Sequence, residues 1–213
     1  MEKPGSPYSQ FRLDLQKEAE LGVFLDKIYL EKFDGRFTVR RCQGKTEQKE
    51  GIDLIITDQI SGKKHLIDEK AQLDYINKTL PTFAFELDYL KSQQWKKGWL
   101  FDPRKRTDRY FLITSIQVNA TAEIQEFISC RVTSVHRQGL QTLLERSGLS
   151  EEKLMNYARE IRKEQKNGKT TVLELDAKTQ GYLYFSGTGK AEQPVNLVLR
   201  LAYLEASGVA KVL

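Results

Sequence analysis

Two short runs of branched apolar residues, each carrying acidic side chains, constrain this chain more than any other feature. The first is Gly51-Ile52-Asp53-Leu54-Ile55-Ile56 and the second is Leu66-Ile67-Asp68-Glu69-Lys70. Both read as strands, because β-branched and apolar side chains dominate them. The segment between them, Thr57 to Lys64, is polar and contains Gly62, so it reads as a hairpin loop. Side chains alternate faces along a strand. Asp68 and Lys70 therefore share one face and Glu69 takes the other. Antiparallel pairing brings Asp53 alongside Asp68 at one end of the sheet. Two carboxylates and an ammonium then converge, a set that can hold a hard divalent cation and orient a water beside it.

The flanking pattern supplies the rest of a core. Residues 1 to 10 hold Pro4, Gly5 and Pro7 and read as a loose N-terminal arm. Leu21, Leu25 and Ile28 repeat at helical spacing, which predicts a helix from Phe11 to Phe33 with its stop at Asp34-Gly35. Glu18 falls on the same face, one turn before Leu21. Arg36 to Gln43 reads as a strand, because Phe37 and Val39 alternate with Arg36, Thr38 and Arg40. Gly44 to Gly51 reads as a charged loop. Beyond the hairpin, Thr79-Leu80-Pro81 looks like a helix start, and Phe83, Leu87 and Leu90 at i, i+4 and i+7 predict a second helix. Arg109 to Val118 reads as the next strand.

These residues resemble the signature of the PD-(D/E)xK nuclease superfamily, whose members share the restriction-endonuclease-like fold. Asp53 matches the first acidic residue of the signature, Asp68 the second, Glu69 the variable position and Lys70 the lysine. Ile52 stands where proline is usual. The resemblance spans roughly residues 11 to 118 and matches the family's order of helix, three strands, helix, strand. It implies an α/β fold in which a central mixed β-sheet is flanked by helices. Residues 11 to 130 would form the nuclease-like core. Residues 131 to 213 would form a C-terminal α/β extension, either separate or part of the same domain.

The resemblance also implies chemistry. Asp53 and Asp68, with the backbone carbonyl of Glu69, would bind Mg²⁺ or Mn²⁺. Lys70 would act beside them, and Glu18 matches an acidic position that some members carry on the first helix. Gln72, two residues past Lys70 on the same face, matches an auxiliary polar position. The implied function is metal-dependent hydrolysis of phosphodiester bonds, in DNA. The alternative is a catalytically inactive nuclease-fold protein that binds nucleic acid or a protein partner.

A formal net charge of +5 permits a polyanionic partner without demanding one. Lys91, Lys96, Lys97, Arg104, Lys105, Arg106 and Arg109 surround Trp95 and Trp99, an interleaving that suits single-stranded or distorted nucleic acid. A second basic stripe, Arg159, Arg162, Lys163 and Lys166, lies on a helix expected to run from its Ser150 cap to Lys166, next to Glu160 and Glu164. Ile128 to Val135, Thr170 to Leu175 and Gly181 to Ser186 read as strands, and Gln138 to Ser147 as a short helix. Cys42 and Cys130 are far apart and form no CxxC pair, so they read as reduced thiols. No apolar run approaches membrane-spanning length, and the N-terminus lacks a signal peptide's apolar core. The expectation is a cytoplasmic protein with no membrane partner; a homodimer stays open. Gly187-Thr188-Gly189-Lys190 lacks the spacing of a phosphate loop, and no GxSxG nucleophile motif occurs.

Overall fold

The computed structural model describes residues 7–120, 125–188 and 191–213. It is a mixed α/β protein with two sheets, and five helices among the described residues. The first half runs α1 (Pro7–Phe33), β1 (Phe37–Arg41), α2 (Lys45–Lys49), β2 (Leu54–Asp58), β3 (Lys64–Ala71), β4 (Thr82–Lys91), β5 (Gln94–Lys97) and β6 (Arg109–Ala120). The second runs β7 (Gln125–His136), α3 (Arg137–Arg146), α4 (Glu151–Lys163), β8 (Gly168–Thr170), β9 (Gly181–Phe185), β10 (Val195–Arg200), α5 (Leu201–Ala206) and β11 (Ala210–Val212).

The central sheet has the order β1-β2-β3-β6-β7-β11. Only β3 and β6 pair parallel in it, so the sheet is mixed. The second sheet, β5-β4-β10-β9-β8, is antiparallel throughout. Each face of the central sheet has its own core. Leu21, Leu25 and Tyr29 of α1 pack against Leu54, Ile56, Ile67, Phe111 and Ile113 on one face. Tyr110, Leu112 and Val135 on the other face join a larger core with Phe85, Leu87, Leu140, Leu154 and Leu197. The C-terminal elements therefore share a sheet and a core with residues 82–112.

Several expected elements take a different form. The segment around Phe83, Leu87 and Leu90 is not a helix but strand β4, with Phe83, Phe85 and Leu87 buried and Ala84 exposed. Both periodicities fit this segment, and the long antiparallel partner β10 favours the period of two. The parallel step from β3 to β6 thus crosses through the second sheet instead of through a helix. Helix α1 already begins at Pro7, within the expected arm; residues 1–6 lie outside the described residues. The Gly44–Gly51 loop contains the short helix α2. Of Thr170 to Leu175, only Thr170 is in a strand.

Candidate active site

Strand β2 pairs with β3 as far as Leu54 opposite Ile67, while β3 continues to Ala71. Asp53 is the next residue along and so stands beside Asp68. Its backbone N–H donates to the Ile67 carbonyl at 2.8 Å. Its Oδ2 accepts from the Glu69 N–H at 2.7 Å, in the place where the strand pairing has stopped. Alternate residues of a strand direct their backbone groups to opposite neighbours. Gln72 N–H reaches Ile113 on β6, whereas Ile67 and Glu69 face the β2 side. The Glu69 carbonyl therefore points toward Asp53, beyond the end of the ladder.

Asp68 is 2% exposed and pairs across β3 and β6 with Tyr110. Its Oδ1 is ion-paired with Lys70 Nζ, while its Oδ2 is buried with no hydrogen-bond partner among the described residues. Burial pushes this carboxyl up to about 6, Lys70 pulls it back down, and the neighbouring Asp53 adds to the rise. Lys70 lies 5.5 Å from the centroid of the Trp99 ring, and that ring packs edge-on against Tyr110 at 4.7 Å. The lysine is thus held between a carboxylate and an indole.

The far side of Asp68 is closed by residues 102–107. Gly51 has φ +71°, and a Cβ there would sit 2.8 Å from Lys105 Cδ, 2.9 Å from Thr107 Oγ1 and 3.4 Å from Asp68 Oδ2. Only glycine lets the loop pass so close. Thr107 donates to the Gly51 carbonyl at 2.6 Å, and Lys105 Nζ donates to the Lys49 carbonyl at 3.1 Å. Arg137 fixes the segment from behind, donating to the carbonyls of Lys105 at 2.7 Å and Asp102 at 2.9 Å.

Glu69 lies on the opposite face, under α1. Tyr29 donates to its Oε1 at 2.7 Å, and Arg41 is ion-paired with its Oε2. Arg41 also holds Asp26 through Nε at 3.0 Å and Nη2 at 2.8 Å. Burial raises the Glu69 carboxyl, while its bonds to Arg41 and Tyr29 oppose the rise. Tyr29, Arg41 and Asp26 were not singled out in the sequence. One signal was present: Arg41 shares the parity of Phe37 and Val39, the helix-facing side of β1, and a charge there needs an acidic partner.

A cleft of about 780 Å³ opens beside these groups, and its walls include Glu18, Asp26, Arg41, Asp53, Glu69 and Lys70. Asp68 sits behind Asp53 and Lys70 and does not line it. Glu18 is exposed on α1 at the cleft wall. No three His, Cys, Asp or Glu side chains converge into a metal-holding group among the described residues. Any shared cation would rest on Asp53, Asp68 and backbone oxygen. Gln72 turns aside and donates to the Thr82 carbonyl at 2.9 Å.

The basic residues divide into compensated and uncompensated groups. Lys97 pairs with Glu151 at 2.5 Å, Arg104 with Asp102 at 2.8 Å and Arg106 with Glu50 at 3.1 Å. Among the described residues Lys96 donates to Gln94 Oε1, at 2.7 Å, and to no carboxylate, and Lys91 is exposed. Trp95 is 47% exposed, whereas Trp99 packs against the larger core. On α4, Arg162 does not belong to a solvated stripe. Its side chain is 10% exposed and ion-paired with the equally buried Asp88 on β4.

No family model, curated protein or solved structure matches the chain significantly.

Proposed function

We propose that this protein is a metal-dependent nuclease that hydrolyses phosphodiester bonds in DNA. The observation that carries the reading is the buried Asp68 Oδ2. It has no hydrogen-bond partner among the described residues, stands beside Asp53 and shares its carboxylate with an ammonium. A buried carboxylate oxygen without a partner is costly, and a bound cation removes the cost. Hard oxygen donors suit Mg²⁺ or Mn²⁺ better than softer ions. Asp53 and Asp68 would hold the ion, and the direction of the Glu69 carbonyl supports it as a third donor. When bound, the ion supplies Lewis-acid polarisation of the phosphate and a water of lowered pKa.

The residues of the chain then divide the remaining work. Lys70 Nζ orients the attacking water and stabilises the negative charge that develops on the phosphate oxygens. Trp99 keeps that ammonium near the site when Asp68 is engaged elsewhere. Asp53, held by the Glu69 N–H, keeps its carboxylate turned toward Asp68. Glu18 and the cleft wall border the space where the phosphate would enter.

The test is a cleavage assay on single-stranded, duplex and branched DNA with Mg²⁺, Mn²⁺ or EDTA. Cleavage that requires the metal and is lost in Asp68→Asn supports the proposal. If the wild type cuts neither DNA nor RNA with any divalent ion, yet binds DNA as Asp68→Asn does, the reading falls. A nuclease-fold binding module would then be the better account.

A further inference from the structure

Trp95 has an environment that core packing does not require. It lies on β5, an edge strand whose four residues are all exposed. One side of its ring is covered by the Arg162 guanidinium, whose Cζ is 3.7 Å from the ring centroid. That guanidinium is itself fixed from behind by Asp88. The indole therefore has a rigid backing, while nearly half of the residue faces solvent. A flat ring that is stiff on one side and open on the other meets a base at low entropic cost.

The surrounding charge fits the same ligand. Lys91, Lys96, Arg159 and Lys166 are exposed and take part in no ion pair among the described residues. Arg159 flanks Arg162 on α4, three residues away and on the same face, and Lys166 lies just past the helix's end. Lys91 and Lys96 lie near the turn of the β4–β5 hairpin, on the strand face opposite the ring, so they rim the edge of the sheet beside it. The ring is also tied to the candidate site. Trp99 lies four positions along the chain, a backbone span of at most roughly 14 Å, and Trp99 contacts Lys70.

We propose that Trp95, backed by Arg162 and Asp88, is a stacking platform for an unpaired base, and that the strand led toward Lys70 is single-stranded nucleic acid. This deepens the nuclease reading by naming its substrate class. Base–aromatic stacking is strong, and it needs a base free of its neighbours on one side. A continuous duplex offers no such face.

The experiment uses the full chain in EDTA, so that binding is read without cleavage. Trp99→Phe leaves Trp95 as the only tryptophan. Titration with a 12-nucleotide oligothymidylate should quench its emission, whereas a relaxed, covalently closed circular duplex, which has no ends, should require at least tenfold more per nucleotide. Trp95→Leu should weaken oligothymidylate binding by about 5-fold or more, while Trp95→Phe should stay close to wild type. The proposal is overturned if Trp95 emission ignores the oligonucleotide, if the leucine and phenylalanine variants bind alike, or if the duplex binds as well as the single strand. Metal-dependent cleavage without quenching would sink the platform alone. Quenching in Trp99→Phe, together with no cleavage by the wild type under any metal, would sink the nuclease reading and leave the platform standing.

Discussion

The two faces of β3 solve the same problem in opposite ways. Each buries a carboxylate, Asp68 on one side and Glu69 on the other. Glu69 is fully engaged: Tyr29 and Arg41 meet its oxygens, and Arg41 is in turn held by Asp26. Asp68 has one oxygen on Lys70 and another with no partner, next to a second carboxylate. Adjacent residues of one strand thus give a structural anchor and an unsatisfied site. A buried polar group left unsatisfied is destabilising, and proteins retain that kind of cost where function uses it. The anchor also serves the site, because it holds the Glu69 backbone whose N–H fixes Asp53.

The sharpest way to break this contrast is to exchange charge for shape on each face. Asp68→Asn removes a ligand charge at nearly constant volume. It should lower metal-dependent cleavage by on the order of 10³-fold or more, measured in single-turnover assays. The same variant should unfold at a temperature no lower than the wild type in EDTA. Cleavage within a few-fold of wild type would remove Asp68 from the site. Lys70→Ala should follow with a loss of roughly 10²- to 10³-fold in the chemical step, since it removes one electrostatic partner of the transition state. DNA binding in EDTA should change little. If Lys70→Ala loses binding and rate together, Lys70 is a binding residue instead.

On the other face the order of effects reverses. Arg41→Met leaves Glu69 and Asp26 without their cation and should destabilise the fold by about 2 kcal/mol, less than breaking a fully buried pair, because Arg41 and Asp26 are partly exposed. Thermal melts of Arg41→Met and Asp68→Asn, taken side by side, test the comparison directly. A larger loss for Asp68→Asn would mean that Asp68 is the anchor.

The smallest effect concerns pH. The folded chain holds the Asp68 carboxyl near 6, above its ordinary 3.8, chiefly because it is buried. A carboxyl raised on folding favours the folded state most at low pH, and that contribution is lost as the pH rises through the folded value. In EDTA the wild type should therefore lose stability relative to Asp68→Asn between about pH 4 and pH 6, by at most roughly 2–3 kcal/mol. A difference between the two melting curves that stays flat across this window would show that Asp68 is already ionised without strain.

Much of the central sheet was legible in the sequence, and the reason is local. Branched apolar runs interrupted by a polar, glycine-containing loop define β2 and β3 without outside help. Strand alternation then places Asp68 and Lys70 on one face and Glu69 on the other. Helix α1 declares itself through Leu21 and Leu25, and α4 through its Ser150 cap, whose side chain accepts from the Lys153 N–H at 3.3 Å. These features depend on residues a few positions apart.

Other features depended on partners distant in the chain. Phe83 to Leu90 carries both periodicities, and its pairing with Val195–Arg200, more than a hundred residues later, makes it a strand. Arg162 reads as one cation of a solvated stripe until α4 lies on β4 and Asp88 takes its charge. Tyr29 carries no signal in the sequence that marks it out, and its role is set only when Glu69 is brought beneath it. In each case the side chain's chemistry is written locally, but its environment is not. The sequence by itself determined which groups face which way along each strand and helix. Tertiary packing alone decided which charges are satisfied, and it left the Asp68 oxygen unpartnered at the end of the β2–β3 ladder.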